Sequence, residues 1–297
     1  MNEILLLGGT GFLGSLLVKN LEKTQPLKIM IHDSNFHTSA KKFRGDIMKK
    51  NSFYKEITNN ETIINLVGQI SPNDLSYINL NILGSLNLLN SCIDKKIDRI
   101  ILISTIHVYG ENWKRPSKEN DLLVPKSQYG IVKMITEKIY QYFSDTYGIN
   151  ITILRLAGMY GPTKKTGFIA QLLKSLHDST IHSNLFNNGR QFRDLLYVDD
   201  AVDGIVKAIN VPQKGFQIFN ISSGKRYSME KLVSLIELIS HKKISVKYTN
   251  IIPDERCIWA DPLKAKKILK FQPKTSIEQG IKFAINHHMK NSKKNSE

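Results

Sequence analysis

An apolar run at residues 3–7 ends on Gly8-Gly9-Thr10-Gly11-Phe12-Leu13-Gly14, and residues 12–21 then place Leu13, Leu16, Leu17 and Leu21 at helical spacing. Strand, glycine turn and helix in that order restrict the fold more than any other stretch of the chain. Glycines at 8, 11 and 14 let the backbone bend sharply and approach a phosphate closely. The helix that follows offers free N–H groups and a partial positive charge. The context is that of a dinucleotide site, with Gly8, Thr10, Gly11, Phe12, Leu13 and Gly14 as its contacts. The spacing is Gly-x-x-Gly-x-x-Gly, not Gly-x-Gly-x-x-Gly, and turn glycines also occur for structural reasons alone.

Apolar runs at 28–31, 62–67, 99–104 and 150–156 have the look of further buried strands. Helical stretches at 77–92 and 129–147 lie between them. Such alternation gives an α/β fold, a doubly wound parallel sheet. After Gly158 the rhythm changes: helices are expected at 168–176, 198–209, 228–239 and 261–269, and a strand at 216–221. The expected organisation is a dinucleotide-binding domain from 1–157 and 194–220. A smaller α/β substrate lobe takes 158–193 and 221–290, and 291–297 form a polar tail.

No apolar run reaches the ~18 residues of a membrane span, and the opening residues lack the marks of a signal peptide. Two cysteines, Cys92 and Cys257, are too few for a disulfide framework, so a cytoplasmic location is expected. The net charge of +16 invites a nucleic-acid surface. The lysines are scattered, however, and no aromatic-interleaved basic ribbon stands out, so the charge is read as a solvated face. Neither nucleic acid, membrane nor metal is called for.

Asp33 stands 19 residues after Gly14, where a carboxylate bonds the adenosine ribose hydroxyls and repels a 2′-phosphate. That favours NAD over NADP. Asp33-Ser34-Asn35 also reads as a plain turn, and Lys41, Lys42 and Arg44 could meet a 2′-phosphate, so NADP stays open. Further on, Tyr129 and Lys133 lie four apart on one helix face. A free tyrosine, with its pKa of about 10, is a poor base at neutral pH. A lysine cation and a nicotinamide ring beside it are expected to pull that value down, so that Tyr129 exchanges a proton with a substrate hydroxyl as hydride moves from or to the same carbon.

At this point the chain resembles the extended short-chain dehydrogenase/reductases, in their nucleotide-sugar epimerase and dehydratase branch. The matching pieces run almost end to end: the turn at 8–14, Gly45-Asp46, Asn65-Leu66-Val67-Gly68, 81–89, 104–110, 129–133, 154–162, 193–200, 220–224 and 259–261. The resemblance implies a Rossmann-type fold, a nucleotide-sugar substrate and a homodimer paired through the helices at 77–92 and 129–147. It implies catalytic roles for Thr105, Tyr129 and Lys133, with Thr105 and Tyr129 also touching substrate and Lys133 the nicotinamide ribose. Asp46, Ile47, Leu66, Val67, Gly68, Asn81, Ser104 and Leu156 become further cofactor contacts. Gly158, Arg193 and Arg256 become substrate contacts, although Arg193 pairing with Asp194 or Asp199 is an equal alternative.

Departures narrow the activity. The 4,6-dehydratases of this branch carry Asp-Glu directly after the catalytic threonine, and here Ile106-His107 stand there. Isoleucine does no acid–base work, so dehydration is not expected, and His107 is read as a strand-end or pocket-lining residue. Gly158 replaces an asparagine common in the group, and Ile251 falls where hexose 4-epimerases have a diphosphate arginine, which Arg256 could replace. An NAD-dependent nucleotide-sugar epimerase is the first expectation and a 4-keto-sugar reductase its rival. A non-catalytic redox-sensing or nucleic-acid-binding relative is the third, and retention of Tyr129 and Lys133 speaks against it.

Overall fold

The computed structural model describes residues 2–32, 35–68, 76–178, 180–212, 214–252 and 256–294. Its first half runs β1 (Ile4–Leu7), α1 (Phe12–Leu21), β2 (Leu27–Ile31), β3 (Lys41–Arg44), β4 (Thr62–Asn65), α2 (Ser76–Cys92), β5 (Arg99–Thr105), α3 (Gln128–Tyr147) and β6 (Ile151–Leu156). Next come β7 (Gly158–Tyr160), α4 (Phe168–His177), β8 (Ser183–Leu185), β9 (Phe192–Arg193), β10 (Leu195–Tyr197), α5 (Val198–Asn210) and β11 (Phe216–Ile221). The chain closes with β12 (Tyr227–Ser228), α6 (Met229–Ser240), β13 (Val246–Tyr248), β14 (Cys257–Ile258), α7 (Leu263–Ile268) and α8 (Ile277–Lys294).

Seven strands form one parallel sheet in the order β11-β6-β5-β4-β1-β2-β3. This is the Rossmann-type α/β arrangement. The apolar runs have a simple cause: successive side chains alternate between faces, and both faces are covered. Leu6, Ile64, Ile101 and Leu154 pack with Leu17 of α1 and Ile205 of α5. Leu5, Leu7, Ile63, Leu102 and Ile153 pack on the other side with Leu88 of α2 and Tyr140 of α3. Strand order reverses between β1 and β4, which opens a crevice at their carboxyl ends, the usual ligand position in such sheets.

Three smaller sheets, β10-β7, β12-β9-β14 and β13-β8, lie beyond β6. A third apolar cluster joins Leu172 and Leu173 of α4, Leu232 and Ile236 of α6, and Ile281 and Ile285 of α8. The short strands of these sheets, β7 to β10 and β12 to β14, have no counterpart in the sequence expectation, and neither do two longer elements. Lys41-Lys42-Phe43-Arg44 forms the edge strand β3, whose charged, exposed residues conceal its strand character. Helix α8 buries Ile277, Ile281, Ala284 and Ile285 along one stripe and continues to Lys294, so the expected polar tail at 291–297 is helical as far as the structure describes it. Among the described residues, no helix is long and apolar enough to cross a membrane.

Candidate active site

The glycine turn leaves β1 in a conformation that only glycine takes easily, with Gly8 at φ +83°. Gly11 N–H then donates to Gly8 O at 3.3 Å. A Cβ on Gly14 would lie 2.2 Å from Gly8 O, so the third glycine is what lets the helix start so close to the strand. Gly11 stands at the N-cap of α1 without any side-chain cap, and no acidic residue lies in the first turn. The opening N–H groups of α1 are therefore available to an anion, with the helix dipole behind them. Thr10 lies in this turn, and Phe12 and Leu13 open α1.

Across the crevice, β5 delivers Thr105 and α3 delivers Tyr129 and Lys133. Thr105 accepts from the His107 N–H at 3.3 Å and caps the short helical turn Ile106–Tyr109. Its side chain also hydrogen-bonds the Tyr129 hydroxyl. Ser127 caps α3 by accepting from Gly130 N–H at 3.3 Å, which places Tyr129 in the first turn. Lys133, one turn deeper, is buried, and its Nζ donates to Ile103 O at 3.2 Å. A Cβ on Gly68 would lie 2.7 Å from Lys133 Nζ and 3.0 Å from Asn81 Oδ1, so these three groups converge on one spot. The buried Asn81 Oδ1 has no hydrogen-bond partner, while its Nδ2 donates to Tyr77 O at 2.8 Å.

Burial dominates the electrostatics. It pushes the Tyr129 phenol up to about 12, against the Thr105 hydrogen bond. It pulls Lys133 down to about 8, against the attraction of Glu137. In the protein without cofactor the ammonium faces Ile103 O and Glu137, and desolvation of the phenolate sets the direction.

The model of the NAD dependent epimerase/dehydratase family matches residues 4–222, most of the chain. The chain belongs to that family. It is 30% identical to a UDP-glucose epimerase, itself uncharacterized, of Bacillus subtilis, across 94% of this chain and 95% of that one. It is 28% identical to the UDP-glucuronate 4-epimerase of Thermodesulfobacterium geofontis, over 98% and 97% of the two chains. Among solved structures it is similar to the UDP-glucuronic acid 4-epimerase of Bacillus cereus in complex with UDP-glucuronic acid and NAD. There the TM-score is 0.88 and the identity 26%, covering 97% of this chain and 99% of the other.

The residues present fit the family's cofactor. The uncapped start of α1 suits a diphosphate. The buried Asn81 Oδ1, without a hydrogen-bond partner and close to Gly68 and Lys133 Nζ, suits a hydroxyl donor such as a ribose carries. Leu66 and Val67 precede Gly68 after β4, and Leu156 ends β6. Asp46 lies beyond the edge strand, 3.9 Å from His32, and accepts from Met48 N–H at 2.9 Å. Ile47 packs under Gly84 of α2. Asp33 lies outside the described residues.

The proposed substrate contacts are less uniform. Gly158 N–H is taken by Asp194 O at 3.1 Å. Arg193 donates to Phe192 O at 2.9 Å. The Asp194 carboxylate that could have paired with it instead accepts from Ser223, Gly224 and Ala260. Arg256 is held by Glu111 at 2.9 Å, which also accepts from Trp113 Nε1 and Lys126. Ile251 is 64% exposed. His107 meets the Tyr129 ring edge-on, with centroids 6.0 Å apart.

Sequence reasoning missed Glu137 and Arg155. Glu137, one turn beyond Lys133, accepts from Ser104 Oγ at 2.5 Å and from Arg155 Nη2 at 2.6 Å, all three buried. The Ser104 hydroxyl is thus bound to Glu137. Arg155 also donates to Tyr109 OH at 2.8 Å, and Tyr109 OH to Asn220 Oδ1 at 2.7 Å, which makes Tyr109 part of the buried frame. The available signal was an arginine inside an apolar strand, which needs a buried acid.

Proposed function

We propose that the chain is a nucleotide-sugar epimerase that inverts C4 of a UDP-hexose or UDP-hexuronate. The observation that carries this is the hydrogen-bonded hydroxyl pair of Thr105 and Tyr129, with the buried Lys133 one helical turn on from Tyr129. Thr105 Oγ1 holds the reacting sugar oxygen, and the Tyr129 oxygen accepts its proton as the carbon becomes a ketone. After the keto sugar turns over, Tyr129 returns the proton to the alkoxide on the opposite face. Lys133 and Asn81 hold the ribose side of the cofactor. Bound NAD supplies the hydride acceptor and donor and, as a cation beside the phenol, the lowering of Tyr129 that the protein alone lacks. The relatives named above, two of them UDP-glucuronate 4-epimerases, support the choice of UDP and of C4.

Incubation with UDP-glucose, UDP-N-acetylglucosamine and UDP-glucuronate, without added cofactor, tests this by proton NMR. The expected product is the C4 epimer of at least one. Reduction of a 4-keto sugar that needs added NADPH, with no epimer from any substrate, overturns it in favour of the reductase. Carbon dioxide and a UDP-pentose as sole products from UDP-glucuronate also overturn it, because the 4-keto uronate is a β-keto acid.

The sugar is read as bound by the lobe at 158–193 and 221–290 through Gly158, Arg193 and Arg256, and NAD by 1–157 and 194–220. We also read the protein as a cytoplasmic homodimer. The buried thiols of Cys92 and Cys257 support the location. Leu83 of α2 and Ile131, Ile135 and Tyr142 of α3, all exposed, support pairing through those two helices.

A further inference from the structure

Phe12 is the first residue of α1, the helix whose uncapped start suits a diphosphate. The segment between β7 and α4 crosses in front of it. A Cβ on Gly161 would lie 3.5 Å from the Phe12 ring, and Lys164 N–H donates to Gly161 O at 3.3 Å, which folds the segment back on itself. The fold carries Lys164 Nζ to 5.0 Å from the centroid of the Phe12 ring. Lys164 is half-buried, and burial lowers its pKa. Among the described residues it has no carboxylate partner, and its charge lies against an aromatic face. Neighbouring Lys165 is exposed.

A half-buried ammonium stacked on a phenyl ring is poorly compensated for lost water. It becomes well placed if an anion occupies the adjacent helix N-terminus, where the free N–H groups of α1 also point. We propose that Lys164 pairs with the diphosphate of the bound dinucleotide, clamping it from the side opposite the glycine turn. A compact charge on a long flexible stem suits a phosphate oxygen. The same contact ties the segment after β7 to the cofactor, so cofactor binding and the position of the sugar-side segment become linked. The inference rests on the NAD reading above.

The test is calorimetric titration of nucleotide-stripped protein with ADP-ribose, adenosine and UDP, for wild type, Lys164→Met and Lys164→Arg. Methionine keeps the length and the stacking but not the charge. Lys164→Met is expected to weaken ADP-ribose about ten- to hundredfold, the range of a hydrogen bond to a charged group, with adenosine and UDP unchanged. Lys164→Arg should recover most of the loss, and added salt should weaken wild type more than Lys164→Met. Equal losses for ADP-ribose and adenosine overturn the proposal, since Lys164 would then only support Phe12. A loss confined to UDP overturns it as well, assigning the lysine to the substrate's diphosphate, and so does no loss at all. An unchanged melting temperature without ligand shows that the variants fold. Wild-type protein that binds neither ADP-ribose nor adenosine would sink the NAD reading itself.

Discussion

Lys133 carries its charge where water is excluded, and the cost has a pH signature. Its value in the fold is about 8, against 10.5 for an ordinary lysine. Between those two pH values the unfolded chain binds more protons than the folded one, so stability rises with pH across the window and the penalty is complete below it. Ligand-free Lys133→Met should therefore melt above wild type by the widest margin below pH 8, and the margin should shrink toward pH 10. A margin independent of pH would show that the lysine is not strained by burial. Tyr129 shifts the other way, upward to about 12, and stays protonated at neutral pH until a cation joins it. Replacing it by phenylalanine should cut turnover by about 10²- to 10⁴-fold, the usual share of a proton-transfer group. Binding of the UDP-sugar, read by calorimetry, should be retained. Loss of binding in proportion to turnover would make Tyr129 a packing residue.

At the scale of elements, the site depends on two starts and one buried pair. The start of α1 is set by the approach of Gly14 to Gly8, and the start of α3 by the Ser127 cap that orients Tyr129. Helix α3 is tied to the sheet by Glu137, which meets Ser104 of β5 and Arg155 of β6. Ser104 neighbours Thr105, and Glu137 lies one turn from Lys133, so this pair sets the spacing of Thr105 and Lys133 from beneath. Removing one partner of such a pair leaves a buried charge uncompensated. Arg155→Met is expected to destabilise by about 3–5 kcal/mol in urea unfolding. The double change Arg155→Met with Glu137→Leu should recover much of that. A double variant less stable than Arg155→Met would refute this account of the loss.

At the scale of the whole molecule, α2 and α3 pack side by side on the sheet and still present Leu83, Ile131, Ile135 and Tyr142 to solvent. If two copies pair there, Leu83→Asp with Ile135→Asp should convert a dimer to a folded monomer in light scattering. Wild-type protein that is already monomeric at micromolar concentration would dispose of the dimer. The sheet and its dinucleotide crevice were legible in the sequence because their causes are local. Strands covered on both faces must be apolar throughout, a glycine turn is dictated by backbone sterics, and Tyr129 and Lys133 share a face by helical periodicity. Only the tertiary structure placed Arg155 on Glu137, Lys28 against Glu61 at 2.6 Å, and Lys164 over Phe12. It also showed burial raising Tyr129 in the protein without cofactor. Those outcomes depend on which distant segments meet and on how much water they exclude, and neither quantity is carried by the spacing of residues along the chain.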